Sequence, residues 1–460
     1  MPRARFAPIN HQGGSQMLAA RDTIEVQHEL LARLHRARAE TDRLFAHVKP
    51  EFLYGRPIPE RHRIVFYVGH LEAFDWNLLR ERVLGRTSFH SEFDNLFAFG
   101  IDPVDGGLPS DQPSDWPSLI QVREYVSQVR QPLDEGLASA ALSQQAGQEE
   151  FSADQLLNVA IEHRLMHAET LAYMLHQLPF NGKVSKPRLP ELVLRPVTPR
   201  MLEIPAGPAT LGLARCRTNI FGWDNEYEEH TIAVPPFSID QYEVTNREYL
   251  RFMNAAGYEN QALWSESDWK WKTQQNISHP VFWNQVNGEW RYQTMFENVP
   301  LPLDWPVYVS HAEASAYARW TGKSLPTEAQ WHRAAYGTPE GTERPFPWGA
   351  EAPDRRFGNF DFESWDPTPV GAFQQGQSAF GVADLVGNGW EWTATGFAPF
   401  PGFQPFEFYP GYSANFFDGE HYIMKGGSAR TAACMLRRSF RNWFQPHYQY
   451  VYAGFRCVSN

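Results

Sequence analysis

The chain has 460 residues, 42% hydrophobic and 20% charged, the balance of a soluble globular protein too long for one core, so two or three domains are expected. A net charge of -12 at pH 7 removes the basic surface that phosphate binding requires and excludes nucleic acid as a partner. Three cysteines, Cys216, Cys434 and Cys457, are too few and too scattered for a disulfide framework or a thiolate metal site, which points to a reducing compartment.

The opening "MPRARFAPINHQGG" lacks the apolar run of a signal peptide. No stretch approaches the ~20 apolar residues of a membrane span, so a cytoplasmic protein without a membrane partner is expected. Residues 18–48 place apolar side chains three and four apart, the period of an amphipathic helix. The same signal recurs over 62–84 ("HRIVFYVGHLEAFDWNLLRERVL") and over 117–143. A fourth helix starts at an N-cap, Ser152, and runs through "QLLNVAIEHRLMHAETLAYMLHQL" until Pro179 and Gly182 end it. Four long helices suggest a four-helix bundle over 1–180.

Residues 181–200, rich in proline and cations, read as a linker. Beyond them short β-like runs alternate with Gly, Pro and Asn turns, and one clear helix stands at "SHAEASAYARWTG". Residues 201–460 are therefore read as an irregular α+β domain, where most of the 16 tryptophans and 32 phenylalanines gather.

The fourth helix carries His163 and His167, four apart on one face and so able to point at one ion. A third ligand must come from another helix. His70, among large apolar neighbours in "YVGHLEAFDWN", is the best candidate, ahead of His62 and His90. An HxxxH pair alone fits a solvated or merely hydrogen-bonded pair equally well. Glu169 is turned off that face and reads as a carboxylate supporting the site rather than as a ligand. Three neutral nitrogens suit Zn²⁺ hydrolysis and Fe²⁺ oxygen chemistry alike.

Five blocks, "KSLPTEAQWHRAAYG", "FPWG", "GVADLVGNGWEWT", "KGGSAR" and "AGFRC", stand in one order in the second half. Together they resemble the formylglycine-generating-enzyme (sulfatase-modifying-factor) domain, a C-type-lectin-like fold. The cysteine pair that a true formylglycine-generating enzyme needs after the GGS block is absent, since "ARTAACMLRRSFRNW" holds only Cys434. With a DinB-like bundle bearing HxxxHxE in front, the whole resembles the ergothioneine-type sulfoxide synthases, non-heme iron enzymes. The implied fold is α plus α+β, a DinB-like four-helix bundle followed by the lectin-like domain. The resemblance implies Fe(II) on His70, His163 and His167, with O₂, hercynine and a thiol as substrates.

"SFRNWFQPHYQY" carries the Asn-Trp pair that sits by hercynine in those relatives, here Asn442 and Trp443. Where the actinobacterial-type enzyme has Gln before the last histidine, this chain has Met166; where it has Asp after Asn-Trp, to bind γ-glutamylcysteine, this chain has Phe444. These four positions are assigned to substrate binding. The tyrosine that follows the "WEWT" block in that enzyme is missing, the nearest aromatics being Phe397 and Phe400. No catalytic proton donor is assigned, although Tyr448, Tyr450 and Tyr452 alternate as in a strand. A related branch, the selenoneine synthases, couples a selenosugar to hercynine and is the alternative; a non-catalytic binding module is a third. Trp390 and Trp392 read as structural, and Arg437, Arg438 and Arg441 as ion-pair partners. Oligomeric state is not legible.

Overall fold

The protein is described by a computed structural model over residues 12–100, 108–139, 151–184, 196–216 and 220–459. Two compact units divide between Leu165 and Met166. The first holds α1 (Gln12–Phe45), α2 (Ile64–Leu79), α3 (Ser91–Phe99), α4 (Leu119–Ser139) and the first half of α5 (Ala153–His176).

The expected helices all form. The end of the third expectation, past Ser139, lies outside the described residues. On α1, Leu30, Leu34, Ala37, Thr41 and Leu44 are buried at alternating steps of four and three, and α1 packs on α4. α2 is buried on nearly every face, so its polar residues His70, Glu72 and Asp75 must all find partners inside the protein. α3, too short to give a periodic signal, starts where the His90 imidazole accepts the Phe93 N–H. That cap accounts for His90, and the His62 ring lies tilted at 41° against Phe66 with ring centroids 4.2 Å apart.

The second unit begins with the remainder of α5. It continues with β1 (Met201–Ile204), β2 (Gly207–Leu211), β3 (His230–Val234), β4 (Phe237–Asp240), α6 (Asn246–Asn254), α7 (Glu266–Gln274), β5 (Trp283–Val286), β6 (Glu289–Gln293) and β7 (Asn298–Pro300). Then come α8 (His311–Trp320), α9 (Glu328–Tyr336), β8 (Gly389–Gly396), β9 (Tyr422–Gly427), β10 (Asn442–Phe444), β11 (Ala453–Gly454) and β12 (Val458–Ser459). Among the described residues the strands form small sheets ordered β1-β4-β12, β10-β9-β8-β11, β2-β3 and β5-β6-β7. Three of the helices open on capping boxes, Thr245 with Glu248, Ser310 with Glu313 and Thr327 with Gln330.

The sequence blocks of this unit are the joints of its core. Glu391 of β8 takes both forks of the Arg456 guanidinium, at 2.6 and 2.7 Å, and the Trp331 indole N–H at 3.0 Å. All three residues are buried, so the "WEW", "QWHR" and "FRC" blocks close on one charge pair whose polar atoms are satisfied. The segment expected as a strand over Tyr448–Tyr452 is instead a loop. Tyr448 and Tyr450 meet edge to face in it, and Tyr452 is buried with its hydroxyl on His176 Nδ1 at 3.0 Å. Gln293 explains the last contact. Its backbone carbonyl takes the His176 Nε2–H at 2.7 Å, leaving Nδ1 as the acceptor.

Candidate metal centre

His70 lies midway along α2, and His163 and His167 lie one turn apart on α5. Their three potential ligand nitrogens fall within 4.8 Å of one another. His70 presents a neutral nitrogen for a physical reason. A carbonyl can only accept, so the 2.7 Å contact of His70 Nδ1 with the Phe97 carbonyl fixes the proton on Nδ1 and leaves the Nε2 lone pair for an ion. Burial holds His70 down at about 4, against a partial upward pull from that hydrogen bond, so the ring is neutral at pH 7. Aromatic rings set the imidazole planes: Phe66 stacks on His70 at 4.7 Å, and Phe74 on His163 at 3.4 Å with planes 10° apart. His70 and His163 are buried, and His167 is half-buried. Three imidazoles whose nitrogens lie this close together fit a divalent transition metal.

Glu169 does not join them. Its Oε1 accepts the Trp390 indole N–H at 2.8 Å and the Ser428 hydroxyl, and its Oε2 accepts the Thr431 hydroxyl at 2.8 Å. Gly426 and Gly427, with φ of +94° and +145°, turn the chain at the end of β9 so that Ser428 reaches this carboxylate. Burial raises the Glu169 carboxyl above its ordinary range, against the pull of the three hydrogen bonds. Trp390 is thereby one of three donors that bind α5 within the second unit.

Met166, immediately before His167, receives the Tyr412 hydroxyl on its sulfur at 3.4 Å. The Tyr412 ring stands edge-on to Trp443 at 5.5 Å and stacks on Trp223 at 4.0 Å. Trp443 is half-buried on β10 and lies flat on Phe397, with centroids 4.2 Å apart and planes at 7°. Phe397 in turn takes the Arg441 guanidinium on its ring at 5.1 Å, and Phe400 takes it at 3.9 Å. Arg441 pairs with Glu328, as Arg437 does with Glu226 and Arg438 with Glu343. The Asn442 side chain accepts the Trp443 N–H at 2.9 Å, and Phe444 stacks on Tyr448 at 5.0 Å.

The structure therefore brings His70, His163 and His167 together, and within the second unit it links Met166 to Trp443 through Tyr412. Tyr412 was missed because it stands far along the chain from both contacts, in a segment without periodicity. Arg164, Phe74 and the Phe97 carbonyl were missed for a related reason: the first two read as ordinary helix residues, and a backbone acceptor leaves no mark in sequence.

Residues 188–460 match the profile of the sulfatase-modifying factor enzyme 1-like domain, and residues 33–171 match the DinB superfamily. The hercynine oxygenase of Mycolicibacterium smegmatis is 35% identical over 307 residues, covering 65% of this chain and 70% of that protein. The hercynine oxygenase of Mycobacterium tuberculosis is 39% identical over 238 residues, 51% of this chain and 55% of that protein. The ergothioneine biosynthesis protein 1 of Schizosaccharomyces pombe is 30% identical over 448 residues, 89% of this chain and 53% of that protein. The chain thus spans little more than half the length of the last two relatives.

Proposed function

For a chain that belongs to the hercynine oxygenase family, with a DinB-superfamily region ahead of a sulfatase-modifying factor enzyme 1-like domain, we propose an O₂-dependent, iron(II) enzyme that joins a sulfur donor to the imidazole C2 of hercynine. A thiol, the C2–H of hercynine and O₂ become a sulfoxide and one water, so one oxygen atom ends on sulfur and the other leaves with both hydrogens. The observation that carries this reading is the convergence of His70, His163 and His167. Held by those three nitrogens with open positions, Fe(II) would supply the oxygen chemistry.

This chain's own residues would bind and orient the substrates. Trp443, held flat on Phe397, offers a ring face for the quaternary ammonium of hercynine. Asn442 braces that strand through its contact with the Trp443 N–H. Tyr412, hydrogen-bonded to Met166 beside His167, is the hydroxyl we assign as proton donor.

Phe444 bears on the donor. Its ring stacks on Tyr448, so this position offers no charge to pair with the ammonium or carboxylates of γ-glutamylcysteine. That favours cysteine or another small thiol over γ-glutamylcysteine. It also supports a second reading, a selenosugar donor and C–Se bond formation, because an aromatic stack suits an uncharged ring.

Anaerobic loading with Fe(II), followed by O₂ and hercynine with cysteine, γ-glutamylcysteine or a selenosugar in separate reactions, tests the proposal by mass spectrometry. A sulfoxide with one thiol supports the first reading and names the donor; product only with the selenosugar selects the second. Absence of product from every donor, with no iron retained, leaves a non-catalytic binding module.

A further inference from the structure

Arg164, the residue after His163, is fully buried, and its guanidinium reaches α2 and, at 3.5 Å, Thr41 of α1. Nη1 donates to Glu72 Oε1 at 2.9 Å, and Nη2 donates to Asp75 Oδ2 at 2.6 Å and to the Leu71 carbonyl at 2.9 Å. Those acceptors follow His70 directly on the same helix. Glu72 is itself gripped from a second side by Arg130, at 2.9 and 2.7 Å, and Arg38 lies 3.8 Å from it. Held by Arg164 and Arg130 and approached by Arg38, Glu72 is a fixed anchor on α2.

We propose that Arg164 is the positioning residue of the metal centre, setting the register and rotation of α5 on α2 so that His163 faces His70. The inference rests on the metal-centre reading above. Three hydrogen bonds from one planar group to three α2 residues leave α5 no freedom to slide or roll where His163 sits. A lysine could keep the charge but not the fork. Supports that orient ligands in this way are worth about 10- to 100-fold in metal affinity. A merely structural ion pair would instead lower stability and leave the affinity of the folded protein unchanged.

The test is Co(II) titration of the full chain, read by the visible d–d absorption and the Kd, with thermal unfolding recorded in parallel. Arg164→Lys should bind Co(II) at least tenfold more weakly and with a changed d–d band, and Asp75→Asn should lie between it and the wild type. Leu133→Ala, a core cavity on α4, controls for lost stability and should bind as the wild type does. If Arg164→Lys fails to fold, Asp75→Asn alone decides: a weakened, shifted Co(II) signal supports positioning, and a wild-type signal overturns it. Wild-type affinity and spectrum in Arg164→Lys also overturn it, leaving Arg164 as a fold element. If the wild type and His163→Ala fail alike to bind Co(II), the metal centre itself falls and the inference with it.

Discussion

Truncation of Glu169 should loosen α5 within the second unit. Its carboxylate is buried and accepts from Trp390, Ser428 and Thr431. In Glu169→Ala the two hydroxyls can turn elsewhere, since Thr431 Oγ1 already lies 3.5 Å from Ser428 Oγ and hydroxyls rotate freely. The indole N–H is a donor only and has no second acceptor. An orphaned buried donor costs about 1–3 kcal/mol, and the small cavity adds about 1–2. Relief from burying a charge offsets part of this, so the net is about 3 kcal/mol. At ~1.4 kcal/mol per decade this loosening is roughly two orders of magnitude in opening equilibrium. The assay is hydrogen exchange followed by mass spectrometry on peptides covering 166–176, 389–396 and 422–431. Glu169→Gln keeps an acceptor for Trp390 and should lose about 1 kcal/mol. Exchange in Glu169→Ala within threefold of the wild type would refute the view that these hydrogen bonds hold the helix.

His163→Ala should lower Co(II) or Fe(II) affinity by roughly a hundredfold or more, measured by competition with a chelating dye, because one ligand in three is lost. Tyr412→Phe should retain wild-type Co(II) affinity while product formation falls by about 10²-fold or more, the scale of a lost proton donor; unchanged turnover would remove Tyr412 from the chemistry. Trp443→Ala should raise the KM for hercynine by the equivalent of about 1–2 kcal/mol, and an unchanged KM would count against the ammonium site. Asp384, buried and pushed up by that burial to about 6, binds its proton more tightly folded than unfolded. Its contribution is therefore largest below about pH 4 and is lost as pH rises toward 6 and above, by up to about 3 kcal/mol. Asp384→Asn keeps an acceptor for the Gly371 N–H and should flatten that decline in a series of urea titrations between pH 4 and 8.

The histidine pair was legible because a helix puts residues four apart on one face whatever it packs against, and the apolar run around it required a long buried helix. His70 was legible from a different constraint: a polar ring amid Tyr67, Leu71 and Phe74 needs a partner. The order of the five blocks carried the lectin-like fold, and the structure gives the reason, since Trp331, Glu391 and Arg456 close on one another in the core. By contrast, the alternation of Tyr448, Tyr450 and Tyr452 imitated a strand in a segment that is a loop, because period two also arises where aromatics are packed one by one.

What the sequence could not supply was direction and partner. Helix geometry alone turns Glu169 off the face of His163 and His167, but that it binds Trp390, Ser428 and Thr431 depends on contacts more than two hundred residues away along the chain. Arg164 looked like any charged residue on a helix, and only burial against Glu72 and Asp75 turned it into a clamp. Tyr412 had no motif at all. Local periodicity determined the elements and the HxxxH face, because it depends only on backbone geometry. The orientation of each imidazole, the tautomer of His70 and the place of Tyr412 were decided by the tertiary structure, because they depend on which distant atoms exclude water from each group.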